Sequence, residues 1–291
     1  MRLLGLSAGN PNGSAEILLK EALRGADAEV ELVRLGDLRL SAGPGAGPDD
    51  AGWFWDRLME SDGLIVSTPI YTRTIPGLLR LLGDKISGPQ SDVAFTSEIL
   101  RMRASGQPLA VDFPVDERVL RPRVAGFIAV GGSLPTRWKL LALPLLHTLT
   151  ASAQIAVVDQ VEFSGAGSPG SIVLQPDALA RARQLGESVG SQLGRSFEEA
   201  EYRGEPGLCP LCHLSVIVVL GDRAECASCG ATGTFEGSVS LTGLRDSVLS
   251  REEKLAHFHE VQATAAAQAP HRGAIGAAVA EYAEWDPRVA P

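Results

Sequence analysis

All four cysteines of the chain lie between positions 209 and 229, in the stretch CPLCHLSVIVVLGDRAECASCG. Cys209 and Cys212 form one C-x2-C pair, and Cys226 and Cys229 form a second, thirteen residues on. Scattered cysteines would suggest disulfides, whereas paired knuckles in a reducing compartment suggest a metal. Four thiolates at the corners of a tetrahedron suit zinc. Rubredoxin-type iron uses similar knuckles, but with a longer separation and surrounding aromatic residues. Only Phe235 is near here, so the spacing favours zinc over iron. The segment between the knuckles reads as a hairpin turning at Gly221-Asp222. Four cysteines complete a closed shell, so His213 is read as a bystander, and no position is open for catalysis. The acidic neighbours Asp222, Glu225 and Glu236 argue against nucleic-acid contact.

A second chemical signal opens the chain. Residues 5–16 read GLSAGNPNGSAE. The apolar run from Leu3 to Leu6 ends in small and polar residues, and a helical pattern starts at Ser14. Unpaired N–H groups and the dipole at a helix start favour an anion. Ser7 and Ser14 add hydroxyl donors, and Gly9 and Gly13 permit close backbone approach. No lysine ends the loop, so it is not a nucleotide triphosphate loop, and its spacing does not fit GxGxxG. A cradle of donors suits a phosphate monoester. The competing reading is that Ser14 only caps the helix.

These loops need a scaffold, and residues 1–195 alternate strand-like and helix-like segments. The expected strands are Arg2 to Ser7, Glu29 to Leu35, Gly63 to Ser67, Val124 to Val130 and Ile155 to Val161. The expected helices are Ser14 to Arg24, Asp49 to Glu60, Ile75 to Ile86, Arg137 to Ala151 and Asp177 to Leu193. Pro144 should kink or divide the fourth helix. Apolar strands alternating with helices predict a doubly wound parallel α/β sheet of flavodoxin-like order 2-1-3-4-5. Residues 38–52 read as a Gly/Pro-rich loop. Residues 87–123 form a long insertion with a short helix at Ser97 to Ala104, expected to act as a lid over the ligand and to shape the acceptor pocket. The expected organisation is a flavodoxin-like domain at 1–195, a cysteine module at 205–240 and a helical tail at 250–286, with a frayed end at DPRVAP.

Composition narrows the function further. The chain has 291 residues, 45% of them hydrophobic, and a net charge of -9. A sizeable core is therefore expected, and general affinity for nucleic-acid backbone is not. No apolar run approaches the roughly 20 residues that span a bilayer. The N-terminus goes straight into a strand, without a signal-peptide layout, so a cytoplasmic protein is expected.

Two further segments lie at the ends of strands. DGLIVSTPIYTRTIPGLLR (62–80) turns away after the third strand, where Tyr71 offers a flat face. VGGS (130–133) follows the fourth. With GLSAGNPNGSAEILL, these segments resemble the NADPH-dependent FMN reductase family, near the iron-sulfur flavoproteins. The resemblance implies that Ser7, Asn12, Ser14 and Ala15 bind the FMN phosphate. It implies that Thr68, Pro69, Ile70 and Tyr71 contact the isoalloxazine, and that Gly131, Gly132 and Ser133 meet the flavin edge. It also implies NAD(P)H as co-substrate, a homodimer, and hydride transfer through FMN to a small organic acceptor such as a quinone, nitro or azo compound, free flavin or specialised metabolite. Asn10 stands where the family often has a cation. The insertion has no cysteine, which argues against a cluster beside the flavin. The cysteine module resembles a zinc ribbon.

Other residues are read more simply. Trp53 and Trp55 flank Phe54 as core or interface anchors. Arg73 and Arg137 adjoin the flavin loops and could hold a nicotinamide-cofactor phosphate. His147 reads as a core histidine, and His257 and His259 have no evident partner. No catalytic acid or base stands out. Two alternatives remain open at this level: a flavodoxin-like electron carrier, and a zinc-ribbon binding module on a fold that has lost its flavin.

Overall fold

The computed structural model describes residues 1–43 and 47–291. Residues 44–46, within the expected loop at 38–52, lie outside it. The five strands β1 (Arg2–Ser7), β2 (Glu29–Arg34), β3 (Gly63–Pro69), β4 (Val124–Val130) and β5 (Ala156–Phe163) pair in parallel in the order β2-β1-β3-β4-β5. The strands β1, β3 and β4 are buried on both faces, as their apolar runs require. Helices α1 (Ser14–Gly25) and α6 (Pro176–Gly190) belong to the core of one face, with Leu3, Ile65 and Ile128. Helices α2 (Ala51–Glu60), α3 (Gly77–Ile86) and α5 (Ala142–Thr150) cover the other, around Phe54, Val66 and Phe127. Gly186 lets α6 press on α1: a Cβ there would lie 1.7 Å from the Ala22 carbonyl oxygen. Pro144 divides the fourth expected helix, leaving a short turn at Thr136–Trp138 and α5, whose first turn holds the proline.

The insertion does not behave as a lid. It carries α4 (Val93–Ala104) and a short turn at Glu117–Leu120. It docks on α2, where the Trp55 indole donates to Asp116 at 2.8 Å. Arg123 then donates to the carbonyls of Leu58, Met59 and Ser61 at the end of α2. Burial, with Arg121 nearby, pushes the Arg123 guanidinium down to about 10. The reason for the placement is topological. A helix-to-strand connection in a parallel sheet emerges at the amino ends of the strands, and ligands bind at the carboxyl ends.

After residue 195 the chain wraps the sheet. Arg203 N–H donates to the Val158 carbonyl, which covers the free edge of β5. Strands β6 (Ile217–Leu220), β7 (Arg223–Cys226) and β8 (Thr232–Thr234) form a three-stranded antiparallel sheet, one strand more than the expected hairpin. The β6–β7 turn falls at Gly221-Asp222, and Gly221 has φ +70°. Helices α7 (Arg251–Gln268) and α8 (Arg272–Glu284) follow.

The expected frayed end is instead ordered. Leu32 N–H donates to the Pro287 carbonyl, and Val289 N–H donates to Leu32. This short parallel pairing covers the edge of β2, which would otherwise expose unpaired backbone. A charge network holds it there. The Glu16 carboxylate, inaccessible to solvent, takes two bonds from Arg34 at 2.7 and 2.8 Å and lies 3.4 Å from Lys20. Lys20 donates to the Tyr282 carbonyl at 2.8 Å, and Arg34 approaches Asp286 at 3.6 Å. Burial alone would raise the Glu16 carboxyl, but Arg34, the Asn12 N–H and Lys20 outweigh it and hold the group below its ordinary value.

Glu16→Gln would leave Arg34 and Lys20 without their shared counter-charge, and should destabilise the protein by roughly 3–5 kcal/mol in denaturant titration. Because the folded carboxyl is lowered, its contribution is fully present above the unfolded value near 4.5 and is lost as the pH falls through the lower folded value. Loss of less than about 1 kcal/mol would mean that the network does not anchor the fold.

Candidate functional site

The loops after β1, β3 and β4 converge at the carboxyl ends of their strands. In the first, Asn12 adopts φ +54°, a conformation that asparagine tolerates better than most residues. The N-cap of α1 is Gly13, and no side chain caps the helix. Ser14 therefore does not act as the cap. The Ser7 and Ser14 hydroxyls are both buried without a hydrogen-bond partner among the described residues. Buried orphan hydroxyls beside a free helix start are what an anion cradle provides. The Asn12 side chain lies 3.5 Å from Lys20, a buried cation beneath the loop. Ala15 is packed under Gly9, where a Cβ would come within 3.1 Å of it.

The second loop is a tight turn. Tyr71 and Thr74 exchange backbone bonds of 2.9 and 3.0 Å, and Thr72 and Arg73 between them have φ +48° and +72°. Two non-glycine residues in the left-handed region cost of order 1–3 kcal/mol each, a strain found mostly at functional loops. Thr68 is buried, Ile70 donates its N–H to Val130, and Tyr71 is half exposed. In the third loop Gly131 N–H is taken by Phe163, and its carbonyl accepts from Ala166. The loop after β5 thus forms part of the same floor. A Cβ on Gly132 would lie 3.2 Å from Gly167 Cα, a tight contact that favours glycine at this approach.

The roof comes from the tail. Helix α7 lies across the loops and walls one side of an open-mouthed cavity of about 440 Å³ lined by Ile70, Tyr71, Arg73, Gly132, Trp138 and Thr264, among others. That volume is ordinary for a small-molecule site, roughly 300–1,000 Å³. Glu260 of α7 accepts from the Ser133 hydroxyl at 2.8 Å and from Leu134 N–H at 2.7 Å. Glu253 accepts from the Trp138 indole at 2.8 Å and pairs with Arg137 at 3.1 Å. Ser133 is therefore engaged by the tail, and Arg137 is committed to Glu253. Arg73 remains at the cavity, with Nε on the Arg137 carbonyl at 2.9 Å. His257, expected to lack a partner, stacks on Trp138. No residue of the insertion lines this cavity. Glu253, His257 and Glu260 are legible in the sequence only as the polar residues of a helix; nothing in their spacing names the loops they reach.

The cysteine module is assembled as its spacing predicts. One sulfur from each of the four cysteines lies within 4.8 Å of the others. Cys209 and Cys229 are 3.4 Å apart, and Cys212 and Cys226 are 3.5 Å apart. Metal–sulfur bonds of about 2.3 Å in a tetrahedron need sulfurs roughly 3.8 Å apart, so the set fits one ion. Burial opposes ionisation of Cys209, but N–H groups of Cys212 and Leu211 bring its thiol down to about 7. His213 is not a ligand here; it stacks on Tyr202 at 3.7 Å. The module is docked through Gln160, which donates to the Cys212 carbonyl at 2.9 Å and meets His147 Nε2 at 2.8 Å. Burial lowers His147, which keeps this histidine neutral in the core.

A flavodoxin-like sheet with a donor-lined loop, a flat aromatic loop and a capped cavity at one end defines a flavin-dependent oxidoreductase. The NADPH-dependent FMN reductase model matches residues 1–164, and the chain belongs to that family. It is 33% identical over 294 residues to a flavone synthase of Aspergillus candidus, covering 90% of this chain and 89% of that one. It is 24% identical over 209 residues to an iron-sulfur flavoprotein of Methanocaldococcus jannaschii, covering 65% of this chain and 95% of the other. A solved structure of a flavone reductase superposes over the full length of both chains, with TM-score 0.68 and 26% identity. No helix among the described residues is long and apolar enough to cross a membrane.

Cys212→Ser should abolish stoichiometric metal binding in elemental analysis and lower the melting temperature, because it removes one of the four sulfurs that a single ion would tie together. A variant that keeps one metal per chain would show that the four sulfurs do not form the site.

Proposed function

We propose that the protein is an FMN-dependent NAD(P)H oxidoreductase whose acceptor is a planar aromatic enone of the flavone type, interconverted with its flavanone. Bound FMN supplies the hydride chemistry. The orphan hydroxyls of Ser7 and Ser14, with the Ala15 N–H and the side-chain amide of Asn12, suit its phosphate. Thr68, Pro69, Ile70 and Tyr71 would form the wall for the ring system, and the Gly132 N–H, which has no partner among the described residues, would meet the edge with its neighbours Gly131 and Ser133. Arg73 is the cation available to an anionic group of the nicotinamide cofactor. The four-cysteine site is read as structural zinc, since four thiolates leave no open position. Exposed Leu255 and Phe258 on α7 offer an apolar surface for a homodimer.

The observation that carries this reading is the roof. An electron carrier benefits from an open flavin edge, whereas here α7 lies over the carboxyl ends of the strands and lines a cavity with Ile70, Val261 and Ala265 among its apolar walls. The relatives support the acceptor class: one is named for forming a flavone and another for reducing one, and both match along most or all of this chain.

Ser14→Ala removes one buried donor and should weaken FMN binding about tenfold in fluorescence titration, near 1.4 kcal/mol; unchanged affinity would remove Ser14 from the cradle. The activity itself is tested by reducing the FMN-loaded protein with NADPH without oxygen and mixing it with flavone. Flavanone should appear in chromatography as the flavin reoxidises. Reoxidation by ferricyanide alone, with no flavanone, would point to an electron carrier instead.

A further inference from the structure

The roof helix brings an organised acid–base pair into the cavity. The His257 imidazole stacks on the Trp138 indole, with ring centroids 4.2 Å apart and planes 24° from parallel. Its Nδ1 lies 3.1 Å from Glu260 Oε2. The Glu260 carboxylate is itself fixed by the Ser133 hydroxyl and the Leu134 N–H. Burial would raise that carboxyl, but Leu134, His257 and Ser133 together keep it below its ordinary value, so it is ionised at neutral pH. An anion on Nδ1 holds the proton there and leaves Nε2 as the working nitrogen. His257 Nε2 has no hydrogen-bond partner among the described residues, and the residue lines the cavity beside Tyr71, Gly132 and Thr264.

We infer that His257 is the proton donor and acceptor for the organic acceptor, with Glu260 as its positioning residue. The inference rests on the proposed enone chemistry. Delivering a hydride to the β-carbon of an enone leaves an enolate that needs one proton. The Nε2–H bond of an imidazolium breaks, a C–H bond forms at the carbon next to the carbonyl, and the neutral imidazole regains its proton from water. In the oxidative direction neutral Nε2 takes the proton from that carbon as the hydride leaves the neighbouring one. Glu260 stabilises the charged ring in both directions.

The other polar groups around the ring are otherwise employed. Glu253, one turn earlier on α7, is bound by Trp138 and Arg137, and Arg137 also faces Asp246 at 3.7 Å. Across the cavity Lys139 donates to the Ser164 hydroxyl at 2.6 Å and Arg73 donates to the Arg137 carbonyl. Tyr71 is the competing proton source, since its half-exposed side chain lines the same space.

The test uses the full-length, FMN-loaded protein. In D2O without nicotinamide cofactor, the wild type should catalyse deuterium exchange at the carbon next to the flavanone carbonyl, followed by NMR. His257→Gln should slow that exchange, and kcat for flavone reduction, by about 100-fold or more, with KM and FMN affinity within about threefold. His257→Asn serves as the second variant if glutamine disturbs the roof. Exchange or reduction at the wild-type rate in a folded His257 variant would overturn the assignment, as would loss of exchange in Tyr71→Phe alone. A wild type inert toward flavone and flavanone in both assays would instead remove the acceptor reading on which the assignment rests.

Discussion

A carboxylate with no route to solvent organises this molecule. Glu16 sits in the first turn of α1, directly after the loop that ends β1, and is neutralised by Arg34 from β2 and Lys20 from its own helix. Removing these three charges from water is expensive, and only close, multiple bonds offset that penalty. The arrangement therefore tolerates little displacement of α1 against β2. Lys20 and Arg34 each have a second interaction, with Tyr282 and Asp286 of the tail. The same buried charge thus sets the start of the helix behind the anion loop and the path of residues 282–289. Around it the tail makes further contacts: the Tyr282 hydroxyl donates to Glu21, and Arg24 lies over the rings of Tyr282 and Trp285 at 5.0 and 4.9 Å.

From that anchor the rest of the tail can be understood as a strap. It is fixed at the β2 edge by backbone pairing and at the opposite end by Glu253 and Glu260, which grip the loop after β4. Between them Gln268 donates to the Gly165 carbonyl. The sheet contributes floor and walls, but without α7 the loops would open on solvent. The cysteine module fixes the other flank, because Gln160 on β5 ties the Cys212 knuckle to His147 on α5. Both edges of the central sheet are covered by chain that follows residue 195.

How much of this is legible in sequence depends on the range of the interaction. The strand order, the division at Pro144 and the four-cysteine cluster follow from periodicity, one residue's geometry and spacing, all local properties. The anion loop is legible in part: its small residues show a tight turn, but only the structure distinguishes a capping Ser14 from an orphan one. The insertion misleads because its length suggests a lid, while chain direction places it at the amino ends of the strands. Glu260 and His257 are illegible for a different reason. Their partners Ser133 and Trp138 are more than a hundred positions away, and no periodicity encodes a contact of that kind. The ordered terminus escapes in the same way, since DPRVAP has no strand signature of its own and borrows its conformation from Leu32.

The separations in sequence also impose an order of assembly. The Lys20–Tyr282 and Tyr282–Glu21 contacts bridge 262 and 261 positions. Closing such long loops is slow relative to pairing neighbouring βα units. During synthesis the sheet and its anion loop can form while the tail is still being made. The ligand-binding end is then open to bulky molecules for the whole of that interval, and narrows only when α7 arrives. Once α7 is in place, entry and escape of a ligand pass the same roof, so the docking of the tail slows both together.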